Sequence, residues 1–160
     1  MTESPLSPAE LIVAYERGPA LLRKALAGLD TDALRARPIP GKLSSLEVAC
    51  HIVDSDQFMC DRLKRTIATE NPLLVGVESV DYVTGLSYHE RDLELDLRLL
   101  ELQREQMAAD LKRLPPTACS RTAMHSENGV QTLVDILEHA VSHLEDHIGA
   151  IEEKRRALGL

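Results

Sequence analysis

Three histidines at four-residue intervals are the residues best placed to do chemistry in this chain. His139, His143 and His147 fall in one stretch of helical periodicity, where positions four apart lie on the same face. Apolar residues follow the same period and place His143 and His147 on the inward side of the helix. Two neutral imidazoles at this spacing can bind one divalent ion. The spacing is also typical of ordinary core histidines, so both interpretations stay open at this point.

The other histidines give weaker signals when each is taken alone. His51 lies among apolar residues in the second turn of a helix that is predicted to begin after Ser44. A lone histidine of this kind is typically a hydrogen-bonded core residue. His125 falls in a predicted loop, from which it could approach an active site, although loop histidines are mostly surface polar groups. His89 is predicted to lie on the surface.

The composition predicts a single all-α domain over residues 1–160. Leu, Ala, Ile and Val dominate the apolar residues, whereas the chain has three Tyr, one Phe and no Trp, a balance that favours helices over a β-sandwich. The formal net charge of −8 offers no basic surface for phosphate backbones or anionic lipids, so we expect neither nucleic acid nor membrane as a partner.

We expect a cytoplasmic protein with reduced cysteines. The opening residues lack the pattern of a signal or transit peptide, and no apolar run approaches membrane-spanning length. Cys50, Cys60 and Cys119 are odd in number and have no C-x-x-C spacing, which argues against a disulfide framework.

Capping signals predict four long amphipathic helices. Ser7, Ser44 and Ser87 each stand three residues before a glutamate, the pattern of a capping box, and Thr132 with Asp135 forms a weaker version. The predicted helices run from these caps to about Gly28, Thr69, Leu114 and Arg156. The Gly18-Pro19 pair is predicted to kink or interrupt the first helix.

The connections are long, which is compatible with a crossover between helices. A short turn is predicted from Asp30 to Arg35, a crossover from Pro72 to Leu86 with a short helix around Ser79 to Val83, and a loop from Thr117 to Gln131. Four capped helices with such connections predict a four-helix bundle.

Charged residues on the second and third helices are predicted to be solvated. On the third helix Arg91, Arg98 and Arg104 alternate with glutamates in a pattern typical of an exposed face. On the second helix Asp54 and Asp56 are predicted to face solvent or to support the histidine site without binding a metal.

Three segments together resemble the DinB-like (DinB/YfiT) superfamily. They are GKLSSLEVACH from Gly41 to His51, the entry from Gly129 to Leu133, and the histidine stretch that ends at Gly149. The resemblance covers nearly the whole chain and departs from the family pattern at Leu43, where a tryptophan is usual. It implies an up-down-down-up four-helix bundle, often dimeric, with a divalent metal held by one histidine of the second helix and an H-x3-H pair of the fourth.

Matched residue by residue, the resemblance places the metal ligands at His51, His143 and His147. His139 would then lie one turn before the pair, outside the ligand set. Three neutral imidazoles leave coordination positions open for water or substrate and suit one divalent ion, which could be Zn, Ni, Fe or Mn.

The resemblance leaves three classes of function. The first is a metal-dependent transferase or isomerase that uses a low-molecular-weight thiol and a small-molecule substrate. The second is a metal-dependent hydrolase that acts through metal-bound hydroxide. The third is a metal-binding stress-response or interaction module without catalysis.

A homodimer is expected from the apolar residues of the third helix, which exceed one bundle-facing stripe. Six leucines there point in several directions: Leu93, Leu95, Leu97, Leu99, Leu100 and Leu102. Either a second copy of the chain or the Pro72 to Leu86 crossover has to cover the excess.

Overall fold

The computed structural model describes residues 6–77 and 79–160 as six α-helices and a small three-stranded sheet. The helices are α1 (Pro8–Leu26), α2 (Thr31–Arg35), α3 (Ser45–Ala68), α4 (Val80–Gly85), α5 (Leu93–Lys112) and α6 (Leu133–Leu158). The strands are β1 (Leu73–Leu74), β2 (Thr122–His125) and β3 (Gly129–Thr132). Four long helices confirm the predicted four-helix bundle, and α4 corresponds to the short helix predicted in the crossover. None of the helices in the described ranges has the length and apolar character to cross a membrane.

The four long helices have the up-down-down-up arrangement. Both α1 and α3 pack against α5 and α6, so α1 and α3 face each other across a diagonal of the bundle. Arg155 near the end of α6 donates to the carbonyl of Ala25 near the end of α1, which makes these two helices parallel. Lys112 at the end of α5 pairs with Glu16 in the first half of α1, which makes α1 and α5 antiparallel. The α3 helix is antiparallel to α6 and therefore runs in the same direction as α5.

Three of the four predicted helix caps are confirmed. Ser7, Ser44 and Thr132 each form a capping box with the residue three positions later. The cap predicted at Ser87 is wrong: its backbone is left-handed with a φ of 50°, and its side chain caps nothing. Asp92 instead accepts hydrogen bonds from the first amides of α5, which therefore begins at Leu93.

The segment predicted as a loop from Thr117 to Gln131 contains a β-hairpin. Strands β2 and β3 pair antiparallel around a turn that includes Gly129, whose φ of 74° is easily adopted by glycine. Strand β1, from the crossover, pairs parallel to β2. The sheet thus joins the crossover to the segment that enters α6.

The α1 helix continues through Gly18 and Pro19, so the predicted interruption did not occur. Pro19 has no N–H for the carbonyl of Tyr15 one turn earlier, and the Nη1 of Arg104 on α5 donates to that carbonyl at 3.0 Å. Gly18 makes room for this contact, since a Cβ there would lie 2.4 Å from the same Nη1. The bundle therefore satisfies the carbonyl that the proline leaves free.

Arg104 links all four long helices, and its predicted exposure is wrong. It is 1% exposed, and its guanidinium also bonds Asp56 on α3 at 2.6 and 2.9 Å and the carbonyl of Ala140 on α6 at 2.9 Å. Asp56 is itself 2% exposed, which excludes a solvent-facing position, one of the two alternatives predicted for it. The pair lies between two apolar clusters of the core, one around Leu63 and one around Ile52.

Asp54 is also buried, which excludes the first of the two positions predicted for it, facing solvent or supporting the histidine site. Its carboxylate accepts a hydrogen bond from the Tyr88 hydroxyl at 2.7 Å and forms an ion pair with Arg91 at 2.8 Å. Arg91 also pairs with Asp96 on α5, so it is half-buried and not part of a solvated face. These bonds fasten the end of the crossover to α3 and α5.

Three leucines on the outer face of α5 remain exposed. Leu95, Leu99 and Leu102 are 62%, 41% and 63% exposed, and they lie on one side of the helix because they are spaced by four and three residues. The described residues of the crossover do not cover them. Either the crossover or a second copy of the chain was predicted from the sequence to cover these leucines. Burial by a second copy stays a prediction.

We expect the protein to form a homodimer through this leucine stripe. Light scattering should give about twice the chain mass of 17.7 kDa, and Leu95→Glu or Leu102→Glu should give a folded monomer because a buried carboxylate without a partner is costly. The matched control is Val130→Glu, which changes an equally exposed residue on β3 and should leave the dimer intact. A wild-type chain that stays monomeric at high concentration would contradict the prediction.

Candidate metal centre

Three histidines from two antiparallel helices meet inside the bundle. His51 lies in the second turn of α3, and His143 and His147 lie on successive turns of α6. The Nε2 of His147 is 3.1 Å from the Nε2 of His51 and 3.2 Å from the Nε2 of His143. One nitrogen of each ring lies within 4.8 Å of the other two. The structure thus brings together the three residues selected from the sequence.

Hydrogen bonds among the three rings cannot account for this convergence. An imidazole nitrogen carries either one in-plane lone pair or one proton, so it can make only one in-plane hydrogen bond. The Nε2 of His147 faces two other nitrogens and can therefore satisfy only one of them. A cation between the three rings would accept all three lone pairs.

The spacing fits a divalent ion. Zinc–nitrogen bonds of about 2.0–2.1 Å in tetrahedral geometry place two ligand nitrogens about 3.3 Å apart, close to the observed 3.1 and 3.2 Å. All three histidines are half-buried, so the core positions them while one side stays accessible. Three protein nitrogens leave a fourth tetrahedral position free, as in catalytic zinc sites.

The environment keeps these imidazoles neutral at pH 7. Burial, reinforced by the neighbouring histidines, lowers the pKa of His143 to about 3. Burial and the nearby His51 lower the pKa of His147 to about 4. Burial also lowers the pKa of His51, although the nearby Asp54 carboxylate opposes the shift. Neutral imidazole is the form that binds a metal ion.

Comparison with known proteins identifies the family. The model of the DinB superfamily matches residues 14–151. The chain belongs to the DinB superfamily. A protein of Oceanobacillus iheyensis, named provisionally as a metal-dependent hydrolase, is 28% identical over 120 residues, which cover 75% of this chain and 69% of the relative. The chain also superposes on YfiT from Bacillus subtilis, which is described as a probable metal-dependent hydrolase with an unusual four-helix bundle topology. The superposition has a TM-score of 0.89 at 23% sequence identity and covers 99% of this chain and 93% of the YfiT chain.

The Oceanobacillus relative and the histidine cluster agree on the coarse function. The Oceanobacillus relative carries metal dependence in its name, and the likeness to YfiT confirms the four-helix bundle fold. The three converging histidines give this chain a donor set of the kind that metal dependence requires. Together they support a metal-binding protein of the DinB superfamily.

Glu47 supports the cluster indirectly. Its position one turn before His51 would suit a partner for that ring, but the structure gives it the capping-box role. Its carboxylate accepts a hydrogen bond from the backbone amide of Ser44 at 2.8 Å and pairs with Arg37. It therefore fixes the start of α3, one turn before His51.

The remaining histidines lie outside the cluster. His139 is exposed, and the centroid of its ring is 5.9 Å from that of His143. His89 is exposed, as predicted. His125 is 4% exposed, so the prediction of a surface loop residue is wrong. The cause is the unpredicted hairpin, which places His125 at the end of β2 with its ring facing inward.

We expect His139→Ala to keep its metal. The His139 ring is outside the group of three nitrogens, so its loss should lower metal affinity by no more than about 10- to 100-fold, the range for residues that support ligands without binding the ion. The measurement is metal content after dialysis, followed by a competition titration with a chelator. Complete metal loss from a folded His139→Ala protein would show that the ligand pair lies one turn earlier.

Proposed function

We propose that this DinB protein is a metal-dependent hydrolase whose ion is held by His51, His143 and His147. The observation that carries the proposal is the convergence of three neutral imidazole nitrogens within 4.8 Å of one another. The name of the Oceanobacillus relative supports the same reaction class. A divalent ion in such a site supplies Lewis acidity, which lowers the pKa of a coordinated water and polarises a carbonyl or phosphoryl oxygen.

The protein positions the three histidine rings and limits the side from which a substrate can reach them. The antiparallel packing of α3 and α6 fixes the three rings relative to one another. The apolar cluster around Ile52 and Leu144 closes one side of the centre, and His143 also lines a cleft on another side. A substrate would therefore approach from the cleft. Three imidazoles suit zinc, nickel or iron better than manganese, which favours oxygen ligands.

A thiol-dependent transferase or isomerase is the second candidate. The observation that favours it is the same three-nitrogen donor set, since the free coordination position would accept the thiolate of a low-molecular-weight thiol as readily as water. The two candidates differ in the nucleophile and therefore in the product.

The experiment supplies both nucleophiles to the same protein. Metal-free protein is reconstituted separately with zinc, nickel, iron and manganese and incubated with ester, amide and electrophilic substrates in ¹⁸O-labelled water, with and without glutathione or bacillithiol. Products are analysed by mass spectrometry, and His143→Ala is the control. Metal-dependent ¹⁸O incorporation without a thiol supports hydrolysis, whereas thiol adducts alone contradict it and favour the transferase. Metal binding without turnover of any substrate would favour the non-catalytic module.

A further inference from the structure

A polar cleft adjoins the histidine cluster. It has a volume of about 200 Å³ and lies between α3, the crossover residues Gly76, Val77 and Ser79, the β2–β3 turn and α6. His143 forms part of its wall, so the cleft opens onto the candidate metal centre. Its other walls include Ser55, Phe58, Arg62, His125, Asn128 and His139.

Arg62 brings a positive charge into this cleft. Its Nη2 donates to the carbonyl of Val75 at 3.1 Å, which holds the side chain against the crossover. The buried Arg104 and the half-buried Arg91 both pair with aspartates, but within residues 6–77 and 79–160 no carboxylate lies at ion-pair distance from Arg62. Burial lowers the pKa of Arg62, and the nearby carboxylates of Glu127 and Asp61 oppose the shift. A guanidinium placed in this way retains donors for an anionic ligand.

His125 presents a second donor. Its Nδ1 lies 3.2 Å from the backbone nitrogen of Glu127 and 3.3 Å from that of Asn128, and its single lone pair is shared between these two N–H donors. The ring proton therefore lies on Nε2. In the part of the chain that the structure describes, that N–H has no acceptor. The side chain is 96% buried, but Nε2 is not one of the sealed polar atoms that lack a partner in the described residues. This N–H is therefore open to the cleft that the ring lines, where a ligand could take the place of water as its acceptor.

We propose that this cleft binds the anionic group of the substrate, a carboxylate or a phosphate, through the Arg62 guanidinium and the His125 Nε2–H. The inference rests on the proposed function for the reaction and adds the substrate class, which is a small molecule with one anionic end. Because His143 lines the same cleft as Arg62 and His125, an anion bound by these two side chains would lie beside a metal ligand. The reacting bond would then lie between the anion and the centre.

Glu127 is the acidic residue among the described residues that line this cleft, and it sets a limit on the anion. Its carboxylate lies over Gly76, where a Cβ would be 2.3 Å from Oε1. A second anion in the cleft is therefore repelled by Glu127 while it is attracted by Arg62. Glu127→Gln should tighten anion binding, because it removes the repulsion and keeps the shape of the side chain.

The test measures anion binding to metal-free protein, without any reaction. Succinate, inorganic phosphate and neutral succinamide are titrated separately while the backbone amides of Glu127 and Asn128 are followed by ¹H–¹⁵N NMR. We expect saturable binding of succinate or phosphate but not of succinamide, and the tighter of the two identifies the group. Arg62→Met should weaken this binding by about 10-fold or more, the range for hydrogen bonds to a charged group.

The matched control is Arg65→Met on the same helix. Arg65 is exposed, pairs with Asp61 and lies outside the cleft, so its loss should leave the affinity unchanged. Equal anion affinity in Arg62→Met and wild type, no saturable binding, or an equal response to succinamide would overturn the proposal. A protein that binds anions in this way but hydrolyses nothing would reject the hydrolase and leave the cleft assignment intact.

Discussion

His143→Ala is expected to abolish metal binding while the bundle stays folded. The wild-type protein should carry close to one divalent ion per chain, because His143 and His147 supply two ligands from one helix and His51 completes the set from α3. Loss of one of three ligands leaves a two-nitrogen site, which binds an ion far more weakly. Metal content after gel filtration gives the direct measurement, and His51→Ala should give the same result.

Thermal unfolding provides an independent measurement of the same site. An ion that binds only the folded state raises the free energy of unfolding by about 2.7 kcal/mol at one hundred times its dissociation constant. Added zinc should therefore raise the Tm of the wild-type protein and leave that of His143→Ala unchanged. His89→Ala is the matched control, because this histidine is exposed and is not one of the three that converge. Full metal retention by either ligand variant would refute the assignment.

Arg104→Met is expected to be the most destabilising single substitution outside the core aliphatics. It leaves the buried Asp56 carboxylate without its cation and the carbonyls of Tyr15 and Ala140 without the donors they have in the wild type. Breaking a buried ion pair by removing one partner costs about 3–5 kcal/mol. Because Arg104 holds α5 against α3 and α6, the substitution should also weaken metal binding. Chemical denaturation monitored by circular dichroism measures the loss of stability.

Two further variants separate the ion pair from the bulk of the side chain. Arg98→Met changes an exposed arginine on the same helix and should alter stability by no more than about 0.5 kcal/mol. The double variant Asp56→Asn/Arg104→Met should be more stable than Arg104→Met alone, since it no longer buries an unpaired charge. An Arg104→Met protein with wild-type stability would show that the contacts of Arg104 with the other three helices make no net contribution to the free energy of unfolding.

The bundle and the site could be predicted because their signals are local. A capping box and a helical period can both be recognised from a few neighbouring residues, which is why the starts of α1, α3 and α6 were predicted within one residue. The pair His143 and His147 is also local, being one helical turn apart. His51 lies in another helix, and only the resemblance to the DinB superfamily joined it to the pair.

The missed features depend on contacts between distant segments. Arg104 has the same local surroundings as Arg98, but it falls on the apolar stripe that includes Leu97, Leu100 and Met107, and this position was the available signal for its burial. Asp56 follows Ile52 on the corresponding stripe of α3. An ion pair between two such stripes explains why charged residues can occupy core positions. A serine and a glutamate at the correct spacing predicted a cap at Ser87. The structure has no cap there, and the segment is instead held in place by the ion pairs of Arg91 with Asp54 and Asp96.

The connectivity of the bundle has a consequence for how the chain folds. Among the four long helices that the structure describes, the antiparallel neighbours are α1 with α5 and α3 with α6, and each pair is separated in sequence by another long helix. Helices that follow one another are either diagonal or parallel, so the first native contact between long helices must close a long stretch of chain. Folding rates fall as the sequence separation of native contacts rises. We therefore expect this chain to refold more slowly in stopped-flow experiments than an up-and-down bundle of the same length, which can begin from a helical hairpin.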